Sequence, residues 1–204
     1  IYRFTGSDIG IMAKFASHFG VTATNYLTWT FRSNQGITDV AATFVQANPS
    51  QLKKTVRAVD KTKDATIQIL EYGKDEDSEE VLAAEIEALA GIAKTEQRIL
   101  RVFLLGRYNH LRPGSLASWR KRHSGALDIQ FLSLHRSKGL EADFVFLLGV
   151  NSGPYSFPSE IVDDPLLDLV LPVPEAFEYS EERRLFYVGL TRAKRRTYVL
   201  TKKS

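Results

Sequence analysis

The sequence predicts a single α/β domain, a parallel β-sheet with helices on both faces. Three observations carry this. Segments with helical periodicity alternate with segments of strand character along the chain. The run Phe144-Val145-Phe146-Leu147-Leu148 is apolar without alternation, as a central strand buried on both faces requires. A chain of 204 residues, 44% hydrophobic and 25% charged, also has enough apolar surface for one core of its own.

The elements follow in order. A leading helix is expected over Asp8–Phe19, although Lys14 interrupts its apolar stretch, and then a strand over Tyr26–Phe31. A helix at Gln35–Gln46 and a strand at Thr66–Tyr72 come next. Ser78 would cap a helix running to Thr95, with Glu79 and Glu80 in its positive first turn and Leu82, Ile86 and Leu89 facing the sheet. Strands are expected at Ile99–Leu105, Ile129–Leu134 and Phe144–Gly149. Five of the seven prolines fall in Asn151–Pro174, which reads as a long shaped loop after a strand. Ligands collect at the carboxyl ends of strands in open parallel sheets, so this loop is where function is expected. Ser180 would cap a last helix to Arg192, with Glu181 and Glu182 in its first turn, and Thr197–Thr201 closes the sheet.

Composition removes several chemistries. There is no cysteine, hence no disulfide scaffold, no cysteine-ligated metal and no thiol nucleophile. The four histidines show no metal-ligand spacing, so no metal site is expected on the chain itself. The one Gly-Lys pair, Gly73-Lys74, is followed by Asp75 and lacks a glycine five positions before it, so there is no phosphate-cradling loop. No two glycines stand two residues apart, which excludes a dinucleotide fingerprint, and Gly-x-Ser-x-Gly does not occur. No apolar run suggests a signal peptide or a membrane span. A cytoplasmic location is therefore expected. The chain opens on Ile1 within Ile-Tyr-Arg-Phe-Thr-Gly-Ser-Asp, which reads as the middle of a longer polypeptide.

The net charge of +3 is unevenly spread. Asp75, Glu76, Asp77, Glu79, Glu80, Glu85 and Glu87 form an acidic block. Basic residues gather at Arg101–Arg122 and at Arg183–Lys203. Such clusters suit a phosphate-rich partner, and a solvated face looks the same in sequence.

Two segments carry chemistry. The first, His135-Arg136-Ser137-Lys138-Gly139-Leu140-Glu141-Ala142-Asp143, joins two buried strands by a polar turn with a carboxylate, which can hold sugar hydroxyls or a backbone phosphate. A turn in which Gly139 supplies backbone freedom and Glu141 is merely solvated is the alternative. The second is Glu181-Glu182-Arg183-Arg184-Leu185-Phe186-Tyr187-Val188-Gly189-Leu190-Thr191-Arg192-Ala193-Lys194. Together, and in this order, they resemble motifs V and VI of the UvrD/Rep-type superfamily 1 DNA helicases. Upstream, Tyr2-Arg3-Phe4-Thr5-Gly6-Ser7 is similar to the tail of motif III, and residues 1–20 read as that tail with a leading helix. Leu27-Thr28-Trp29-Thr30-Phe31-Arg32-Ser33, with Ala47-Asn48-Pro49 after a helix, is similar to motif IV, where the family usually has Tyr-Arg-Ser. Only Ala58–Leu127 separates motifs IV and V. That leaves no room for an inserted 2B subdomain and, with Asp163-Asp164-Pro165-Leu166-Leu167, resembles the DNA helicase IV branch.

The resemblance implies a RecA-like parallel sheet of the P-loop NTPase type: the second domain, 2A, which lacks a P-loop of its own, over residues 1–204. It implies ATP as ligand, with Mg²⁺ held mainly by a 1A domain of the same polypeptide. It also implies single-stranded or duplex DNA as partner, no membrane, and 3′ to 5′ translocation in which this chain alone does not turn over ATP. By position, Arg192 and Arg32 match arginines that reach the γ-phosphate, where a rigid guanidinium fork stabilises charge on the transferring phosphoryl group. Phe31 matches the ring that stacks on adenine, Glu141 the carboxylate on the ribose, and Lys138 lies in the same turn in a supporting role. Tyr2, Phe4 and His135 match positions beside single-stranded DNA. The rival is a non-catalytic RecA-like module that binds DNA or docks a protein. The survival of Arg32, Glu141 and Arg192 together weighs against it.

Overall fold

Seven strands and six α-helices make up the described part of a computed structural model, residues 9–73, 77–161 and 175–203. Five of the strands form one parallel sheet: β3 (Ile67–Tyr72), β4 (Leu100–Gly106), β5 (Leu127–Ser133), β6 (Ala142–Leu148) and β7 (Ala193–Lys202), in the order β3-β7-β6-β4-β5. The unbroken apolar run is β6, between β7 and β4, with Val145, Phe146 and Leu147 fully buried. β1 (Trp29–Thr30) and β2 (Arg57–Ala58) form a separate two-stranded parallel pair.

Strand alternation divides the core into two layers. Leu100, Val102, Leu104, Phe144, Phe146, Tyr198 and Leu200 face α4 (Ser78–Glu96) and α5 (Leu116–Arg122), packing with Leu82, Ile86, Leu89 and Trp119. Phe146 lies flat on Tyr198, ring centroids 4.4 Å apart. Phe103, Leu105, Val145, Leu147 and Val199 face the other way, onto α3 (Gln35–Gln46) and α6 (Ser180–Leu190), through Ile37, Ala41, Leu185 and Leu190. The expected parallel sheet with helices on both faces is therefore what forms.

The differences lie where packing is thin. The leading helix splits at Lys14 into α1 (Ile9–Ala13) and α2 (Phe15–Phe19). Met12, Phe15 and Phe19 are exposed, so no core stabilises a longer helix, and short unpacked helices are marginal. The expected strand Tyr26–Phe31 shrinks to two residues because its partner β2 offers only two, and Tyr26 and Leu27 stand in solvent. α5 and β2 were not anticipated, since the basic run Arg120-Lys121-Arg122 obscures the buried Leu116 and Trp119. Neither serine caps its helix. Asp77 accepts from Glu79 N at 2.9 Å, which makes Ser78 the first helical residue, and α6 starts after Tyr179 in the left-handed region with no side-chain cap.

Two connections position the site. α6 descends from the carboxyl edge of the sheet to the amino edge and hands the chain to β7 through Thr191 and Arg192. The segment 134–141 makes the same journey, because β5 and β6 both run parallel to β4. His135 therefore follows the carboxyl end of β5, while Glu141 precedes the amino end of β6. Among the described residues no helix is long and apolar enough to cross a membrane.

Candidate nucleotide-coupling site

Three segments far apart in sequence meet at the amino edge of β6 and β7. Asn34 fixes the first. It is buried at the start of α3, its side chain accepts from Ile37 N at 3.0 Å, and its amide donates to Arg195 O at 2.8 Å. Its backbone N–H donates to Lys194 O at 3.3 Å, and Ser33 Oγ donates to Thr191 O at 3.4 Å. The second join is Ala142 N to Arg192 O, 3.1 Å. The β1–α3 loop, the β5–β6 turn and the α6–β7 turn are thus bonded to one another. Asn34→Ala should lower stability by about 1–2 kcal/mol, since it removes a helix cap and leaves Arg195 O without that donor. Chemical denaturation measures this, and a change within about 0.3 kcal/mol, a third of a typical cap, would show that the cap is dispensable.

These joins bring Arg32, Glu141 and Arg192 together. Glu141 faces two cations: Lys194 Nζ at 2.7 Å from Oε1 and Arg32 Nε at 3.5 Å from Oε2. The hydrogen bond from Lys194 holds the carboxyl below its ordinary range against a partial burial cost, with the charges of Lys194 and Arg32 adding to it. Arg32 Nε is buried and makes no hydrogen bond of good geometry, its contact with Glu141 Oε2 being an ion pair at 3.5 Å.

Arg192 is 7% exposed. Nε donates to Val188 O at 2.8 Å, Nη1 to Leu140 O at 3.2 Å and Nη2 to Thr191 Oγ1 at 3.1 Å. Burial pushes its pKa down to about 10 and the charge of Arg32 adds to this, opposed by Tyr187 and Glu141; the guanidinium still stays charged at neutral pH. The site therefore sets three cations around one carboxylate, a field suited to a polyphosphate. Phe31, next to Arg32, is 84% exposed, a bare aromatic face beside the charges.

The remaining expected residues are distributed differently. Lys138, exposed, lies three residues before Glu141 in the same turn, while half-buried His135 lies at the turn's other end, by the carboxyl edge. Tyr2 and Phe4 lie outside the described residues, as does the stretch 162–174 of the proline-rich loop. The loop's described part ends at the carboxyl edge, where Phe44, Phe157, Pro158 and Phe186 line an apolar cavity. The Arg–Glu–Arg group is at the opposite edge, so the expectation that function gathers at the strand carboxyl ends is corrected for these three residues. The cause is local: α6 and the 134–141 turn both end at the amino edge. Sequence reasoning also passed over Asn34, whose signal was an Asn directly before a helical run, and gave Lys194 no individual role.

A model of the UvrD-like helicase C-terminal domain matches residues 111–204, the stretch holding Glu141 and Arg192. Residues 111–204 are thus similar to the UvrD-like helicase C-terminal domain. The residues before them are covered by a longer likeness: DNA helicase IV of Escherichia coli (strain K12) is 37% identical over 203 residues, 100% of this chain and 28% of that protein. ATP-dependent DNA helicase PcrA of Bacillus subtilis (strain 168) is 34% identical over 85 residues, 41% of this chain and 10% of that protein. A solved structure, the C-terminal domain of a possible DNA helicase from Lactobacillus plantarum WCFS1, superposes with a TM-score of 0.44 at 14% identity, over 86% of this chain and 89% of that one. The chain spans little more than a quarter of the helicase IV relative that it matches, and Phe31 and Arg32 fall within that match but outside the family model.

Proposed function

We propose that this chain is the 2A domain of an ATP-dependent 3′ to 5′ DNA helicase and couples ATP hydrolysis on a 1A domain of the same polypeptide to movement along single-stranded DNA. The gathering of Arg32, Glu141 and Arg192 on one edge, from positions 160 residues apart at the extremes (Arg32 to Arg192), supports it above all else. Arg32 Nε lies 3.5 Å from Glu141 but makes no hydrogen bond, and a phosphate, anionic and hydrogen-bond accepting, would supply one on rearrangement of the side chain. A non-catalytic module would have no use for that arrangement.

In this reading the phosphates lie toward Arg32 and Arg192, the ribose toward Glu141 and the adenine on Phe31. Arg192 keeps Nε on Val188 O, which anchors the fork. Its Nη atoms exchange Leu140 O and Thr191 Oγ1 for phosphoryl oxygens as the domains close, so the contact is strongest where charge develops. Mg²⁺, held mainly by the 1A domain, would supply charge neutralisation at the phosphates. Glu141 is a lone carboxylate between Lys194 and Arg32, a setting that suits a neutral hydroxyl better than a metal cation.

DNA contacts are assigned to Tyr2, Phe4 and His135, with aromatic rings stacking on bases irrespective of sequence. The 134–141 turn then has DNA at its His135 end and nucleotide at its Glu141 end, a direct mechanical link between the two. Phe31→Ala tests the nucleotide side: KM for ATP in the full-length polypeptide should rise about tenfold, the loss of one stacking face, and Phe31→Tyr should restore it. An unchanged KM would remove Phe31 from the base site.

A further inference from the structure

We infer that Lys194 is the positioning residue through which Glu141 discriminates the sugar of the nucleotide; the inference rests on the nucleotide site proposed above. A carboxylate that reads ribose hydroxyls must present its acceptor oxygens in a fixed direction. Glu141 is 43% exposed and the β5–β6 turn leaves it on a short stalk, so the backbone alone does not fix that direction. Lys194 does. Its Nζ holds Oε1 at 2.7 Å, whereas Arg32, the only other cation on this carboxylate among the described ion pairs, stays at 3.5 Å from Oε2.

The backbone is arranged to place that ammonium. Ala142 pairs with Ala193 at the start of the β6–β7 ladder, but the next pair is Phe144 with Arg196, so β7 carries one more residue than β6 across this step. Lys194 and Arg195 are the two residues within it. Such an irregularity re-aims side chains at a sheet edge, and here it does so directly after Arg192. Lys194 O is tied to Asn34 N, which fixes the lysine backbone to the loop that carries Phe31 and Arg32. An exposed lysine–carboxylate pair contributes little to stability, so this arrangement is poorly accounted for as a structural brace. Its effect is on geometry. One oxygen of Glu141 is committed to Lys194, and the other, Oε2, is left on the side of Arg32.

Arg32 benefits as well. With Lys194 bonded to Oε1, Arg32 is held 3.5 Å from Oε2 without a hydrogen bond, so its guanidinium is not committed to the carboxylate. Without Lys194, Glu141 would swing to Arg32 and occupy it. Lys194 thus keeps apart the group that reads the sugar and the group that reads the phosphate.

The test uses the full-length polypeptide with saturating single-stranded DNA and compares ATP with 2′,3′-dideoxy-ATP. Lys194→Met should raise KM for ATP about three- to tenfold, the range for part of one charge-assisted hydrogen bond, with a smaller change in kcat. KM for the dideoxy analogue should stay near its wild-type value, so the preference for the ribose collapses. Lys194→Arg should recover most of that preference, and Glu141→Gln should lose it as Lys194→Met does. A wild-type preference in Lys194→Met overturns the inference, and so does an equal rise in KM for both nucleotides, which marks a merely structural role. The nucleotide site itself fails separately, through unaltered turnover in Arg192→Ala.

Discussion

Arg192→Ala is expected to lower ATP turnover of the full-length polypeptide by on the order of a thousandfold, the effect of removing an arginine that stabilises phosphoryl-transfer charge from a neighbouring domain, which is the role proposed for it. The size follows from how the side chain is held. Val188 O fixes Nε at 2.8 Å, so the fork is preorganised and little is spent on reorientation when the domains close. Arg192→Lys keeps the charge and loses the fork, and is expected to recover less than a tenth of the lost rate, an estimate of roughly one order of magnitude for bidentate geometry. Alanine also removes the donors to Val188 O and Leu140 O in a buried place, with a loss of about 1–3 kcal/mol in stability. Turnover is therefore measured well below the variant's melting temperature, beside circular dichroism of the same sample. Turnover within a few-fold of wild type in a folded variant would remove Arg192 from the chemistry.

The sequence made the core legible where periodicity and burial coincide. Phe144–Leu148 runs through the middle of the sheet because no polar residue interrupts it, and α4 buries Leu82, Ile86 and Leu89 at the spacing that its pattern requires. What escaped is tertiary. Trp119 is buried directly before Arg120 and Lys121, in the middle of a seven-residue helix whose polar face dominates its composition. The Asn34 amide depends on Arg195, 161 residues away, and no local pattern signals such a partner. For the candidate site, motif order pointed to Arg32, Glu141 and Arg192, while the edge on which they meet was set by the return of α6 and of the 134–141 turn. A general rule about strand carboxyl ends pointed to the other edge because it describes loops that follow strands, and Glu141 and Arg192 precede theirs. Lys194 stood in view inside the motif, but its aim toward Glu141 depends on a one-residue slip between two strands.

That dependence of the site on packing leads to the second large effect, at Gly189. This residue lies in α6, three positions before Arg192, where an added Cβ would come 2.7 Å from Leu134 Cδ2 and 2.8 Å from Leu147 Cδ2. Both leucines are fully buried, one in the 134–141 turn and one on β6. Glycine therefore allows α6 to sit directly on the segment that carries Glu141 and keeps Arg192 in register with it. Gly189→Ala sets two opposed terms against each other: about 1 kcal/mol of gained helix propensity against the crowding of two methyl groups at the ends of flexible side chains. A net change below about 1 kcal/mol is expected, with turnover reduced only a few-fold, since shifts of a few tenths of an ångström suffice. Gly189→Leu has no such accommodation. Three further carbons must enter a filled space, which costs about 1–3 kcal/mol and lifts the end of α6 from the sheet. Arg192 and Glu141 then separate although neither is altered, and a misplacement approaching 1 Å corresponds to about a hundredfold in turnover. Thermal unfolding and steady-state ATP hydrolysis on the same Gly189→Leu sample distinguish the two consequences. A turnover that falls only by the fraction of protein unfolded would mean that Arg192 finds its place independently of α6, and the rigid placement argued for the site would be wrong.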